Sequence, residues 1–162
     1  IIPATAKYLG DEYRFVIIGD GNRVSFLRNE INSQNVSNIE LLAPIKRIDL
    51  IQYYFQADIL FVHLNDYPAF RRVLPSKIFE YAAFGKPIVA GLNGYPAKFT
   101  KEHIPQAVIF DSCDSLGASL AIKKASNLVI SKKVSDNFVN MFSRVTIMDR
   151  MASHIIDIIN NK

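Results

Sequence analysis

Five short, mostly apolar runs divide this chain, and each is followed by a segment with helical spacing. Arg14 to Ile18 stops at Gly19-Asp20-Gly21, and Ile39 to Leu42 closes at Pro44. Ile59 to Leu64, Pro87 to Gly91 and Ala107 to Phe110 complete the set. Runs this short and this apolar suit strands buried on both faces, and helices between them supply the crossovers that parallel pairing needs. The expected fold is therefore an α/β domain of three layers, with about five parallel strands covered by helices. The helical segments are Ala4 to Leu9, the stretch after Asn22 with Val24, Leu27, Arg28 and Ile31, and the stretch with Ile48, Leu50, Ile51, Tyr54 and Phe55. Others follow at about Ser76 to Phe84, Ala97 to Glu102 and Ser115 to Ser126. From Val134 to Ile159 apolar residues recur every three or four positions. This predicts one long or kinked amphipathic helix packed across the sheet, with a membrane-surface role as the alternative.

A chain of 162 residues, 49% of them hydrophobic, is one domain with a full core. It has no apolar run long enough to span a bilayer, and Ile1-Ile2-Pro3-Ala4 lacks the basic start of a signal peptide. The single cysteine, Cys113, has no partner for an internal disulfide, and no Cys/His cluster has metal-ligand spacing. A cytoplasmic setting is expected. The net charge of +4 suits an anionic ligand or the anionic face of a membrane. Its basic residues are scattered, without a nucleic-acid-binding motif, so nucleic acid is not an expected partner.

Parallel sheets bind ligands at the carboxyl ends of their strands. Three loops belong there: Gly19 to Gly21, Ala43 to Lys46, and Asn65 to Lys77. The last opens the most informative segment, Leu74-Pro75-Ser76-Lys77-Ile78-Phe79-Glu80-Tyr81-Ala82-Ala83-Phe84-Gly85-Lys86-Pro87. Ser76 can cap a helix that Gly85 ends. The first amides of a helix are unpaired and favour an anion, phosphate above all. Pro75 has no N–H, so Ser76, Lys77 and Ile78 would supply the donors. Glu80 lies one turn on, where an ionised carboxylate accepts two O–H donors. Amides for phosphates and a carboxylate for vicinal hydroxyls together fit a nucleoside diphosphate. Arg71 and Arg72 precede this helix and could bind phosphate or line an acidic sugar, or be surface charges. Gly19 and Gly21 would let a ligand approach the backbone closely, although Val24 stands where a full dinucleotide fingerprint needs another glycine.

The wording Phe70-Arg71-Arg72-Val73-Leu74-Pro75-Ser76-Lys77-Ile78-Phe79-Glu80, running on to Gly85-Lys86-Pro87-Ile88-Val89-Ala90, resembles the signature segment of family 4 glycosyltransferases. These are retaining enzymes of the GT-B architecture. The likeness is to members that assemble bacterial surface polysaccharides, whose segment often reads F-R-x-V-x-P-S-K-x-F-E. The resemblance implies a Rossmann-like domain, the donor-binding half of such an enzyme, spanning residues 1–162 with a C-terminal helical segment at about 134–160. It implies that Glu80 takes the ribose hydroxyls, that Ile45 or Lys46 pairs its backbone with the base, and that Gly19 and Gly21 lie beside the donor. The first acid of the family's E-x7-E motif is replaced here by Arg72.

The implied donor is a nucleoside-diphosphate sugar, with no metal or other cofactor expected. The acceptor is a glycan or lipid-linked molecule, and peripheral membrane association is a further expectation. The acceptor-binding half is expected to be absent, as is the opening strand of this half, which would sit centrally. The remaining strands must then close the gap, or something must fill it, and the chain alone would not transfer sugar. Two other readings stand beside this one. A UDP-sugar epimerase of GT-B architecture would need further acid-base groups in the cleft. The other is a non-catalytic flavodoxin-like or response-regulator-like interaction module; a receiver domain would need an acidic pair after its first strand, where Asp20 stands alone, and an Asp at the end of its third.

Overall fold

The computed structural model describes residues 1–160. Helix α1 (Ile2–Leu9) leads through a tight turn at Gly10–Glu12 to β1 (Phe15–Ile18), α2 (Val24–Ser33), β2 (Ile39–Leu42) and α3 (Arg47–Gln56). Then come β3 (Leu60–His63), a 3-10 turn at Phe70–Arg72, α4 (Ser76–Phe84), β4 (Ile88–Gly91) and α5 (Tyr95–His103). The chain continues through β5 (Ala107–Phe110), α6 (Ser115–Ala125), α7 (Lys132–Phe142) and α8 (Arg144–Asn160). All strand pairing among the described residues is parallel, as the apolar runs predict.

The strands do not close into one sheet. β1 pairs with β2, and separately β4 lies between β3 and β5. β1 and β3 are not hydrogen-bonded to each other, so the gap expected between them is not closed by strand pairing. The two sheets are joined through side chains instead. Phe15 of β1 and Ile59 and Phe61 at β3 pack on one cluster with Leu9, Val89, Phe110 and Ile122. The Asn38 side-chain amide also reaches the carbonyls of Ala6, Gly10 and Tyr13 at 3.1, 2.7 and 2.9 Å, tying the start of β2 to the end of α1.

β4 is buried along its whole length. Its alternating side chains serve two faces, as the period of a strand requires. Ile88 and Ala90 join Ile78 and Ala82 of α4, Phe99 of α5 and Phe138 of α7. Val89 joins α6 on the opposite face through Ala118, Ala121 and Ile122. Helices therefore cover both sides of the three-stranded sheet. Hydrogen exchange should be slowest at the β4 amides and distinctly faster in β1 and β2, whose residues are half-exposed or exposed. Equal protection in the two sheets would contradict this division.

Gly85 ends α4 in the left-handed conformation (φ 69°), which a glycine adopts without steric cost. A Cβ there would lie 3.0 Å from the Ser135 hydroxyl, so the same glycine lets α7 dock closely on the end of α4.

The C-terminal segment, expected as one long or kinked helix packed on the sheet, is divided in two, and only its first part is docked. Ser143 is extended, and its hydroxyl accepts a hydrogen bond from the Thr146 amide (3.2 Å), which starts a new helix. Phe138 is buried in the core, and it packs with Phe142, Phe79 and Phe99. α8 buries none of its described residues, and Val145, Met148, Met151, Ile155 and Ile159 are exposed. Apolar spacing alone does not distinguish a covered stripe from an open one. None of the described helices is long and apolar enough to cross a membrane.

Candidate functional site

α4 positions the site because its faces are divided. Ile78 and Ala82 are fully buried against the sheet and hold the helix. Glu80, Ala83 and Phe84 face α3, where with Arg47, Leu50, Ile51 and Tyr54 they line an open pocket of about 230 Å³. The pocket has an apolar floor and one carboxylate. That carboxylate is already engaged. One Glu80 oxygen accepts from Lys77 Nζ (2.9 Å) and from the Tyr54 hydroxyl (3.3 Å), while the other lies 3.6 Å from an Arg47 nitrogen. Lys77 also donates to the Tyr54 oxygen (3.0 Å), closing a triangle.

The electrostatics follow from this triangle. The hydrogen bond from Lys77 holds the Glu80 carboxyl below its usual range. The bonds to Glu80 and Tyr54 push Lys77 up to about 12. Burial pushes the neighbouring Tyr81 up to about 12. Glu80 is thus ionised and acceptor-only at neutral pH. A carboxyl with a lowered folded value stabilises the fold above its ordinary value of 4.5 and loses that contribution as pH falls through the folded value. We expect the urea midpoint of Glu80→Gln to fall less than that of the parent as acid is added below pH 4.5. Parallel curves would remove Glu80 from the account.

The first turn of α4 differs from its expected form. Pro75, not Ser76, occupies the cap position, and no side chain caps the helix. Ser76 is the first helical residue. The Ile78 amide donates to the Pro75 carbonyl (3.0 Å) and is thereby taken. The donors without a backbone acceptor among the described residues reduce to Ser76 and Lys77.

The two arginines separate. Arg71 grips Asp66 through two nitrogens, Nε and Nη2, each at 2.8 Å. Asn93 adds a third bond to Asp66 at 3.2 Å, and together these hold the Asp66 carboxyl at about 2. Arg71 is thus held by Asp66 with more than half of its side chain exposed, while Arg72 has no ion-pair partner among the described residues.

Gly19 has φ 153°, a conformation that favours glycine, and a Cβ at Gly19 or Gly21 would meet nothing within 4 Å. Open space stands beside this turn. Ile45 is half-buried and Lys46 exposed, and the Lys46 carbonyl accepts two amides of the first turn of α3, those of Asp49 and Leu50, at 3.0 Å each. Among the described residues, no hydrogen bond or ion pair joins the Gly19–Gly21 turn or Ile45 to the Glu80 cluster. Lys46 is its neighbour only through Arg47, the next residue.

His63 accepts a hydrogen bond at Nε2 from the Cys113 amide (3.2 Å) and stacks near Phe110, and burial lowers its pKa. It serves to join the ends of β3 and β5. No group of three or more metal-binding side chains lies together among the described residues.

Tyr54, Arg47, Asp66 and Asn93 carry much of this geometry and went unread in the sequence. Tyr54 reads as one more apolar residue of α3, and it is indeed buried; only the fold brings its hydroxyl to α4. Asp66 and Arg71 stand five apart in a loop, a spacing with no helical or strand signal.

Residues 1–137 match the model of a family described as glycosyl transferases, group 1. No curated protein matches the sequence. Among solved structures, the chain is similar to AviGT4, a glycosyltransferase involved in avilamycin A biosynthesis, with a TM-score of 0.72 and 16% sequence identity. The likeness covers 99% of this chain and 47% of AviGT4, so the chain spans about half the length of the structure it matches.

Proposed function

We propose a role for this chain on the premise that it belongs to the group 1 glycosyl transferases: it is the donor-binding part of a glycosyltransferase and holds a nucleoside-diphosphate sugar. The observation that carries this reading is the α4 N-terminus. The amides of Ser76 and Lys77 lack acceptors one turn from an ionised Glu80 that faces an apolar-floored pocket. The amides take the diphosphate, assisted by the helix dipole. Glu80 takes the two ribose hydroxyls, with the nucleoside lying against α3 beside Arg47 and the Ile45–Lys46 turn. Ribose bound at Glu80 displaces Lys77 from its oxygen and frees an ammonium group for the phosphates one turn away. Gly19 and Gly21 leave room for the sugar. The negative charge is met by backbone and basic side chains rather than by a metal.

The finer reading is a retaining hexosyltransferase that extends a glycan or lipid-linked acceptor in polysaccharide assembly. The F-R-x-V-x-P-S-K-x-F-E wording at Phe70 to Glu80 supports it. Transfer requires an acceptor held in attack geometry against the donor, and this chain builds the donor side.

Calorimetric titration with UDP and GDP tests the binding. Saturable heat with one of them is expected, and no heat with either would overturn the reading. The chain is then incubated with UDP- and GDP-sugars and a lipid-phosphate acceptor. Binding without product is expected. Turnover on the order of 1–10³ s⁻¹, the range of intact enzymes, would show that the chain also carries an acceptor site.

A further inference from the structure

The loop between β3 and α4 is tied to the rest of the domain at one carboxylate. Asp66 accepts the Arg71 fork across both oxygens, and its Oδ1 also accepts the Asn93 side-chain amide. Asn93 follows β4, and its own side-chain oxygen accepts the amide of Ser112, just beyond β5, at 3.3 Å. The chain segments leaving three neighbouring strands thus converge on Asp66. The arrangement is tight at the backbone as well. Gly94 has φ 69°, and a Cβ there would stand 2.6 Å from the Arg71 carbonyl oxygen. A single exposed ion pair contributes little, but a bidentate fork within a network is the exception.

We infer that Asp66 is a positioning residue for the diphosphate end of the donor. It acts through the loop it fixes, which carries Arg72 and runs directly into the first turn of α4. Asp66 itself touches no ligand in this scheme. It holds Arg71 so that Arg72 and the Ser76 and Lys77 amides present a preformed anion cradle. This inference rests on the donor-binding reading above.

The test compares the parent chain with Asp66→Asn and Asp66→Glu. Asp66→Asn keeps the shape and removes the charge that holds the fork. One arm needs no ligand: hydrogen exchange at Phe70, Arg71, Arg72 and Ser112, whose amides report the tie. Exchange should quicken in Asp66→Asn, while the core amides of β4 stay as protected as in the parent. The other arm measures affinity for UDP and GDP against UMP and GMP. Asp66→Asn should weaken the diphosphate by roughly tenfold and leave the monophosphate within about twofold, because misplaced groups lose the contact they were aimed at. Asp66→Glu, which keeps the charge, should recover part of the loss.

Unchanged exchange in the loop overturns the inference whatever the ligand result. Quickened exchange with undiminished diphosphate affinity also overturns it, leaving Asp66 a purely structural tie. Equal weakening of mono- and diphosphate does the same. If the parent chain binds no nucleotide, the donor-binding reading fails and this inference falls with it, and the exchange arm still reports whether Asp66 holds the loop.

Discussion

Glu80→Ala is expected to weaken nucleoside-diphosphate binding by about 10- to 100-fold, the effect of losing hydrogen bonds to a charged group at roughly 1.5–3 kcal/mol. Two consequences of the substitution oppose each other. On the proposed reading the ribose hydroxyls lose the one carboxylate of the pocket lining among the described residues. Lys77 loses its partner at 2.9 Å and becomes free for the phosphates without competition. The second gain is small, because Lys77 is substantially exposed and an exposed ion pair contributes only about 0–1 kcal/mol. The loss therefore wins. Glu80→Gln falls between, since an amide oxygen still accepts but without charge. Calorimetry with UDP or GDP checks the series. If the alanine variant binds as tightly as the parent, Glu80 has no part in ribose recognition.

The elements of this fold were legible because each has a local cause. Short apolar runs mark β1 to β5, three of them (β1, β2 and β4) with a glycine or proline at or just past their ends, and Gly85 marks the end of α4 to the residue. The parallel arrangement followed from run length and from the helices between. The division into two sheets was not legible, because strand pairing is a matter of neighbours and Phe15 looks the same whether or not its strand has a second partner. Nor was the fate of α8. Val145, Met148 and Ile155 repeat as regularly as Val134, Phe138 and Phe142, and only the break at Ser143 separates a docked helix from an exposed one.

The site divides along the same line. Ser76, Lys77 and Glu80 share one short helix, so their proximity is written in the sequence. Tyr54, Arg47 and Asn93 come from other elements and enter only through tertiary packing. The availability of single atoms was also beyond the sequence. The Ile78 amide is spent on Pro75, and two nitrogens of the Arg71 guanidinium are engaged by Asp66. A motif gives residue types at a spacing, but not which of their donors remain free.

Ile78→Ala separates the two tasks of α4. Ile78 and Glu80 stand two residues apart, about 200° around the helix, so they face nearly opposite directions. Ile78 has no exposed surface and packs in the cluster that includes Val62, Ile88, Ala90 and Phe99. Truncation leaves a cavity in the core and is expected to cost about 2–5 kcal/mol. In a chain of this size that lowers Tm by about 5–15 °C. The ligand chemistry is untouched, because Glu80, Lys77 and Tyr54 lie on the other side. Saturating nucleotide should therefore raise the Tm of the variant as it raises that of the parent, by the equivalent of about 2.7 kcal/mol at a hundred times Kd. Glu80→Ala should show the reverse pattern, with a small change in Tm without ligand and, at the same ligand concentration, a rise reduced to the equivalent of about 0.4–1.4 kcal/mol. Thermal unfolding of both variants, with and without UDP or GDP, reads the two effects in one experiment. If Ile78→Ala abolishes the ligand-induced rise at temperatures where the fold is intact, then the core face of α4 sets the site geometry, and the division of its faces fails.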